Sequence, residues 1–385
     1  MIQFSYESDR ELFESAIRFA QRQVRKLVEK YPGFYPVYTQ GGVWKHDSPA
    51  LAHWCDGFLP GILWLFYKRG GPNAADARFW WEVATTYSRP LEPRKTEPEA
   101  HDLGFIFQTA YYRWFQCAHE DPIREAMIAA GRTLALGYDE KGQFLRSLVA
   151  GNSLFIDIMM NVGIVFYAAR ETSDRQLREV ATRHSLTTRK HLVRGDGSVA
   201  QEGLFDPDTG EFLRQATQQG YRSDSCWARG LSWALYGFTT AYEYSRDPRF
   251  VHTAESCADY YITHTPAHGI PPWDYNAPGE SRKLLDTSAA AISAAGLLRL
   301  CRQIADPMKG HFYWSTAIGI LRNLCTKYLA GADPGWEGIL KGGVYHVHKG
   351  LGVDESVIWG EYYFVEALEE ALRVMDRGAA HSTVN

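Results

Sequence analysis

Two kinds of helical text alternate along the chain. The first kind carries apolar residues on one face at i, i+3, i+4 and i+7 spacing, as in Glu11 to Glu29, Arg124 to Ala135, Arg175 to His191, Arg249 to Tyr261 and His311 to Leu329. The second is apolar nearly all round and rich in Gly, Ala and aromatics: DGFLPGILWLFY, DLGFIFQTAYYRWF, DIMMNVGIVFYAA, CWARGLSWALYGFTTAY, DTSAAAISAAGLLRL and ESVIWGEYYFVEALEEAL. A helix with no polar face belongs inside a larger structure, covered by amphipathic neighbours. Alternating strand text is scarce.

The buried-type segments recur. Each has an Asp at or near its start, at Asp56, Asp102, Asp157, Asp224, Asp286 and Asp354, in steps of 46, 55, 67, 62 and 68 residues. Six amphipathic-plus-buried pairs, at a repeat too long for tetratricopeptides and too irregular for an open solenoid, predict an all-α closed ring of six hairpins, an (α/α)6 barrel, with residues 1–385 as a single domain. Small residues in the inner segments (Gly104, Gly163, Gly230, Ala289 to Ala291, Gly296, Gly360) fit a crowded centre. The Gly- and Pro-rich stretches 195–215 and 264–280 read as loops walling one mouth, and DPDTG within the first as a tight hairpin turn.

Composition narrows the partners. A chain with 45% hydrophobic and 22% charged residues can bury a sizeable core, and with a net charge of -4 and scattered Lys and Arg it lacks the basic stripe that nucleic acid selects. No stretch has the ~18 uninterrupted apolar residues of a membrane span. The amphipathic, acid-containing first segment is unlike a signal peptide. Six cysteines (Cys55, Cys117, Cys226, Cys257, Cys301, Cys325) stand far apart with no CxxC pair, which predicts buried thiols in a reducing, cytoplasmic setting. The expected molecule is a monomer or weak homo-oligomer. With 12 Trp, 22 Tyr and 19 Phe, the core also has rings to spare for a wet, stacking face.

Asp at a helix start has a simple structural use, capping the orphan backbone N–H groups. Two of the six have other surroundings. Asp157 sits among Leu154, Phe155, Ile156, Ile158, Met159 and Met160, an apolar setting that raises a carboxyl pKa and keeps a proton donor at neutral pH. Asp102, in HDLGF beside His101, lies at the start of the second inner helix. One protonated and one ionised carboxyl on neighbouring inner helices form the acid and base pair of glycoside chemistry; two structural carboxylates are the alternative. In TQQGYRSDSCWARGLSW, Gln219 and Arg229 could grip a sugar carboxylate, and Trp227 offers either a stacking face or packing. Trp54 in HWCDGF is likewise a sugar platform or core, and His346 in YHVHKG points into the mouth or into solvent. No G-x-S-x-G, Walker A, G-x-G-x-x-G or H-E-x-x-H pattern occurs, so no cofactor and no metal are implied.

Read together in order, HDLGF, FIDIMMN, QGYRSDSCWARG, DTSAAAISAAGLL and YHV followed by IWGEYYFVEAL resemble the unsaturated glucuronyl hydrolases of glycoside hydrolase family 88, from about residue 10 to about residue 375. The resemblance implies an (α/α)6 barrel that takes an unsaturated oligosaccharide left by a polysaccharide lyase. It implies release of the 4,5-unsaturated uronic acid by hydration of the C4=C5 vinyl ether, with Asp157 as proton donor and Asp102 as its partner. It places His101, Gln219, Trp227, Arg229, Trp54 and His346 near the substrate. Where several members carry His, this chain has Gln201 and Gln218, on pocket-wall loops; these alter the substrate more than the reaction. The unsaturated rhamnogalacturonyl hydrolases are a neighbouring alternative. A sugar epimerase on the same barrel would need paired catalytic His on inner helices, and a non-catalytic sugar-binding protein would leave the double bond intact.

Overall fold

The computed structural model describes residues 7–46, 51, 53–147 and 151–382. Twelve long helices run through these residues. They are α1 (Glu7–Lys30), α2 (Phe58–Gly70), α3 (Ala77–Ser88), α4 (the consecutive segments Leu103–Ile106, Phe107–Tyr111 and Tyr112–Ala118) and α5 (Asp121–Ala135). Then come α6 (Val162–Thr172), α7 (Arg175–Leu192), α8 (Ala228–Ser245) and α9 (Pro248–His264). The last are α10 (Thr287–Leu300), α11 (Pro307–Asn323) and α12 (Ile358–Ser382).

The even-numbered helices are the inner ones. Each packs on the next, and α12 packs back on α2, so the ring closes; the odd-numbered helices cover it from outside, with α1 completing the pair begun by α12. The sequence dictates which helix goes where. In α10 every residue except Arg299 is buried, whereas α1 buries one stripe that includes Phe13, Ile17, Ala20, Val24 and Leu27. Of the described residues, no helix is long and apolar enough to cross a membrane. All six cysteines are free, four of them buried.

Close approach at the centre is steric. A Cβ on Gly104 would lie 2.3 Å from the Asn161 Cα, so α4 and the turn entering α6 touch backbone to backbone.

Among the described residues, four small antiparallel sheets lie in the connections that lead from an outer helix into the next inner one. They are β1 (Thr39–Gln40) with β2 (Val43–Trp44), β3 (Tyr138–Asp139) with β4 (Phe144–Leu145), and β8 (Gly343–His346) with β9 (Leu351–Glu355). The fourth is three-stranded, in the order β5 (Ser153–Phe155), β6 (Glu202–Phe205) and β7 (Phe212–Ala216). The DPDTG turn closes the β6–β7 hairpin, with Asp206 Oδ1 accepting from the backbone N–H groups of Asp208 and Thr209. All four sheets therefore gather at the mouth where the inner helices begin.

The six punctuating Asp residues prove unequal. Asp286 alone of them is a side-chain cap, accepting from Ser288 N at 2.9 Å. Asp56 accepts from His53 N and Arg94 Nη1, Asp224 is exposed and paired with Arg222, and Asp354 lies in β9. The capping role belongs instead to the outer helices, where Asp174, Asp247 and Asp306 accept from backbone N–H groups of the first turns of α7, α9 and α11.

Gly104→Ala is expected to cost about 1–3 kcal/mol, read as a lower urea midpoint, because overpacking a rigid contact has nowhere to relax. Gly319→Ala, in open space on α11, should leave stability unchanged or raise it by up to about 1 kcal/mol.

Candidate active site

Asp157 stands in a short 3-10 turn, Ile156–Met160, between β5 and α6. Ile156, Ile158, Met159 and Met160 are buried around it, as their sequence predicts. The Asp157 Oδ2 atom is shut off from solvent and has no hydrogen-bond partner. Burial pushes the carboxyl up to about 6; Arg229 pulls the other way, and the neighbouring Asp102 adds to the rise. The group therefore exchanges its proton near neutrality.

Asp102 occupies the position before the first turn of α4 yet makes no capping bond, which leaves its oxygens for other partners. Asn161 donates from Nδ2 to Asp102 Oδ1 (3.4 Å) and to the Asp157 carbonyl (3.2 Å), and its Oδ1 accepts from Phe105 N at 2.8 Å. One amide thus ties the two carboxylate-bearing turns to each other. His101 Nε2 lies 3.3 Å from Asp102 Oδ2. The sequence reading did not single out Asn161, although its four-residue spacing from Asp157 within FIDIMMN was the available signal.

Arg229, in the first turn of α8, is 1% exposed. Its guanidinium donates to the Val344 carbonyl, to Gln219 Oε1 and to the Tyr345 carbonyl, and lies 3.9 Å from Asp286 Oδ2. It stacks over the rings of Trp227 (4.3 Å) and Trp359 (5.2 Å). Trp227 is itself 3% exposed, so of its two readings the structure gives packing: the ring serves as the platform for Arg229. Trp54 is partly exposed and stands in an aromatic box, 5.0 Å from Phe105, 4.9 Å from Trp359 and 6.5 Å from Tyr345. His346, at the end of β8, is buried rather than solvated, and its Nδ1 has no hydrogen-bond partner. Burial, with Lys349, His348 and Arg229 adding, lowers its pKa to about 4, so the ring is neutral at physiological pH.

The two glutamines expected on the pocket wall differ from each other. Gln201 is buried, and its Oε1 accepts from Thr217 Oγ1 (2.6 Å), Gln218 N (2.7 Å) and Gln219 N (2.8 Å), while Nε2 has no partner. It latches the loop whose next side chain, Gln219, holds Arg229. Gln218 turns the other way, toward Glu202, and lines a groove with Arg214, Arg222 and His348. Asp157, Asp102, His101, Arg229 and Gln219 are thus brought together, with Trp54 and His346 at the edges, and Gln218 faces outward.

The arrangement joins a carboxyl poised near neutrality, a second carboxylate and a buried cation beside partly exposed aromatic rings. These can protonate a substrate, activate water and orient a sugar.

The chain matches the model of Glycosyl Hydrolase Family 88 over residues 25–266. It is 30% identical to the unsaturated chondroitin disaccharide hydrolase of Streptococcus pyogenes serotype M1, over 92% of this chain and 89% of that protein. It is also 30% identical to the unsaturated glucuronyl hydrolase of Bacillus sp. (strain GL1), over 92% and 94%. Among solved structures, that of the Bacillus sp. GL1 enzyme superposes with a TM-score of 0.84 at 28% identity, covering 92% of this chain and 96% of the other. An unsaturated glucuronyl hydrolase specific for heparin superposes with a TM-score of 0.87 at 27% identity, covering 97% and 99%. The twelve-helix ring and its carboxylate-bearing mouth belong to a glycoside hydrolase of family 88.

Proposed function

We propose that this hydrolase removes a 4,5-unsaturated glucuronic acid from the non-reducing end of lyase-generated oligosaccharides by hydrating the C4=C5 double bond, with Asp157 as the acid. The observation that carries the reading is the Asp157 carboxyl itself, buried, unpartnered at Oδ2 and raised to about 6 beside a second carboxylate. Protonating carbon needs an acid that still holds its proton near neutral pH.

In the proposed reaction the C4=C5 electrons take the Asp157 proton at C4, leaving positive charge shared by C5 and the ring oxygen. Water adds at C5 and returns a proton to the Asp157 carboxylate. The resulting C5 hemiketal opens, breaking the bond from C5 to the ring oxygen; the hemiacetal left at C1 then expels the remaining sugar as an alcohol. One water is consumed and the acid is regenerated. Asp102, linked to the Asp157 turn through Asn161, is placed to stabilise the developing positive charge, and Arg229 with Gln219 to orient the substrate carboxylate. Trp54 supplies the stacking face, and His101, His346 and the free Nε2 of Gln201 supply polar contacts. Gln218 serves further out, in the groove it lines with Arg214, Arg222 and His348. The same reading takes residues 1–385 as one catalytic unit, monomeric or weakly self-associating, in the reducing cytoplasm, supported by the six free thiols.

Incubation with unsaturated glucuronyl disaccharides should abolish the ultraviolet absorbance of the conjugated double bond; no loss with any lyase product of chondroitin, hyaluronan, heparin, gellan, xanthan or ulvan would sink the proposal. Asp157→Asn should lower kcat by at least about 10³-fold, within the range of a positioned acid, while circular dichroism and urea midpoint stay near those of the parent. Because the proton must be on Asp157 for the first step, kcat/KM should be flat below pH about 6 and fall about tenfold per unit above it. A profile rising through pH 6 to 8 would assign the proton donor elsewhere.

A further inference from the structure

Behind the carboxylate site lies a second cavity, of about 560 Å3. Gly104, Phe105 and Met160 line its inner end, and its walls come from farther along the inner helices: Lys68 and Arg69 on α2, Gln116 on α4, Arg170 on α6, Tyr244 on α8, Arg299 on α10 and Arg373 on α12. It therefore opens at the mouth opposite to the one that holds Asp157. None of the residues expected to touch substrate lines it.

Its chemistry is that of a site rather than a packing defect. Seven cationic side chains face five carboxylates, an excess of positive charge in a chain whose net charge is -4. Most of the cations are matched: Arg69 with Glu369, Arg113 with Glu366, Arg299 with Glu243, and Arg302 and Arg373 with Glu370. Lys68 is the exception. Among the described residues it forms no ion pair; it donates to Gln116 Oε1 at 3.0 Å, the same neutral oxygen that accepts from Arg113 Nη1 at 3.4 Å. Two cations thus converge on one amide. Partial burial, then Arg113 and Arg373, hold the Lys68 ammonium below its ordinary pKa, with Cys117 and Glu370 opposing.

Unused hydrogen-bonding capacity also lies in the wall. Glu366 Oε2, Glu369 Oε1 and the Tyr167 hydroxyl are buried without partners. Tyr112, Tyr236, Tyr244 and Tyr363 add ring surface. The helix that carries Gln116 departs from α-geometry alongside the cavity, in the π-helical segment Phe107–Tyr111, of which Gln108 and Thr109 line it. Such segments recur at functional sites.

We propose that this far mouth is a binding site for an acidic monosaccharide, with its carboxylate between Lys68 and Arg113 and its hydroxyls donating to Glu366 and Glu369. An anion answers the Lys68 ammonium, which has no ion-pair partner of its own, beside the Arg113 guanidinium; hydroxyl donors answer the unpartnered carboxylate oxygens, and a pyranose face answers the tyrosines. Phe105 closes the inner end and packs 5.0 Å from Trp54, so an occupant would press on the aromatic box of the catalytic mouth.

Isothermal titration of the full chain with D-glucuronate tests the proposal, with D-glucose as the uncharged control. One equivalent of glucuronate should bind at the far mouth, and Lys68→Gln, at the exposed end of α2, should weaken that component at least tenfold. Gln116→Leu should weaken it likewise. Turnover of an unsaturated disaccharide without added glucuronate should stay within twofold of the parent in Lys68→Gln. An isotherm unchanged by Lys68→Gln, glucose binding as tight as glucuronate, or no saturable binding would each overturn it. Because the isotherm is read without turnover, its result stands apart from whether the chain cleaves any unsaturated uronide.

Discussion

The carboxylate-bearing mouth is organised around one buried cation. Arg229 leaves the first turn of α8, passes between the rings of Trp227 and Trp359, and ends against two strand carbonyls, the Gln219 amide and the Asp286 carboxylate. Burial alone would make that charge costly, and it lowers the guanidinium pKa, with Asp286 and Asp157 opposing. Removing one member of such a buried set typically costs about 3–5 kcal/mol, chiefly because its partners are left uncompensated. The Asp286 carboxylate would be one of those partners, and Asp286 also caps α10. The cation therefore fixes together the starts of α8 and α10, strand β8 and the loop before α8. These elements come from widely separated parts of the chain.

The same cation sets the acidity of the proposed acid. A carboxyl as deeply placed as Asp157 would rise further if burial acted alone; Arg229 restrains the rise and Asp102 promotes it. The balance leaves the group near 6, where it can give up a proton and recover it at similar cost. Asn161 supplies the geometry that this balance needs, since it bonds to both turns and also to the α4 backbone. Gly104 makes that contact sterically possible, so a residue with no side chain supports a pair that works through side chains.

The ring was legible because burial on every face is a property of composition, and each inner helix displays it over ten or more residues. The apolar burial of Asp157 was legible for the same reason, its neighbours being adjacent in sequence. The roles of Trp227, Gln201 and Gln218 were not, since each lies in a connection where no periodicity sets the direction of a side chain. Trp227 and Arg229 are two residues apart, a spacing that says nothing about whether a ring faces sugar or guanidinium. The Asp punctuation misled in a useful way. Its spacing correctly counts the inner helices, but only Asp286 among the six caps by its side chain, while the working caps precede Pro248, Pro307 and Arg175 on the outer helices. The role of Asn161 is likewise hidden in the sequence, because its four-residue spacing from Asp157 gains meaning only once Asp102 and Phe105 are placed around the amide.

Gln201 shows how one neutral side chain changes the electrostatic character of the mouth. Three donors converge on its single amide oxygen, and they hold the loop that presents Gln219 to Arg229. A histidine, the residue that the family resemblance leads one to expect here, has no acceptor once protonated and one ring acceptor when neutral. It could not gather the same three donors, and what it did hold would loosen on acidification. With Gln201 the latch has no titration of its own. His346, lowered to about 4, is likewise neutral throughout the range in which Asp157 changes charge. Across that range the latch and His346 hold a constant charge, and Asp157 changes its own against the fixed positive charge of Arg229.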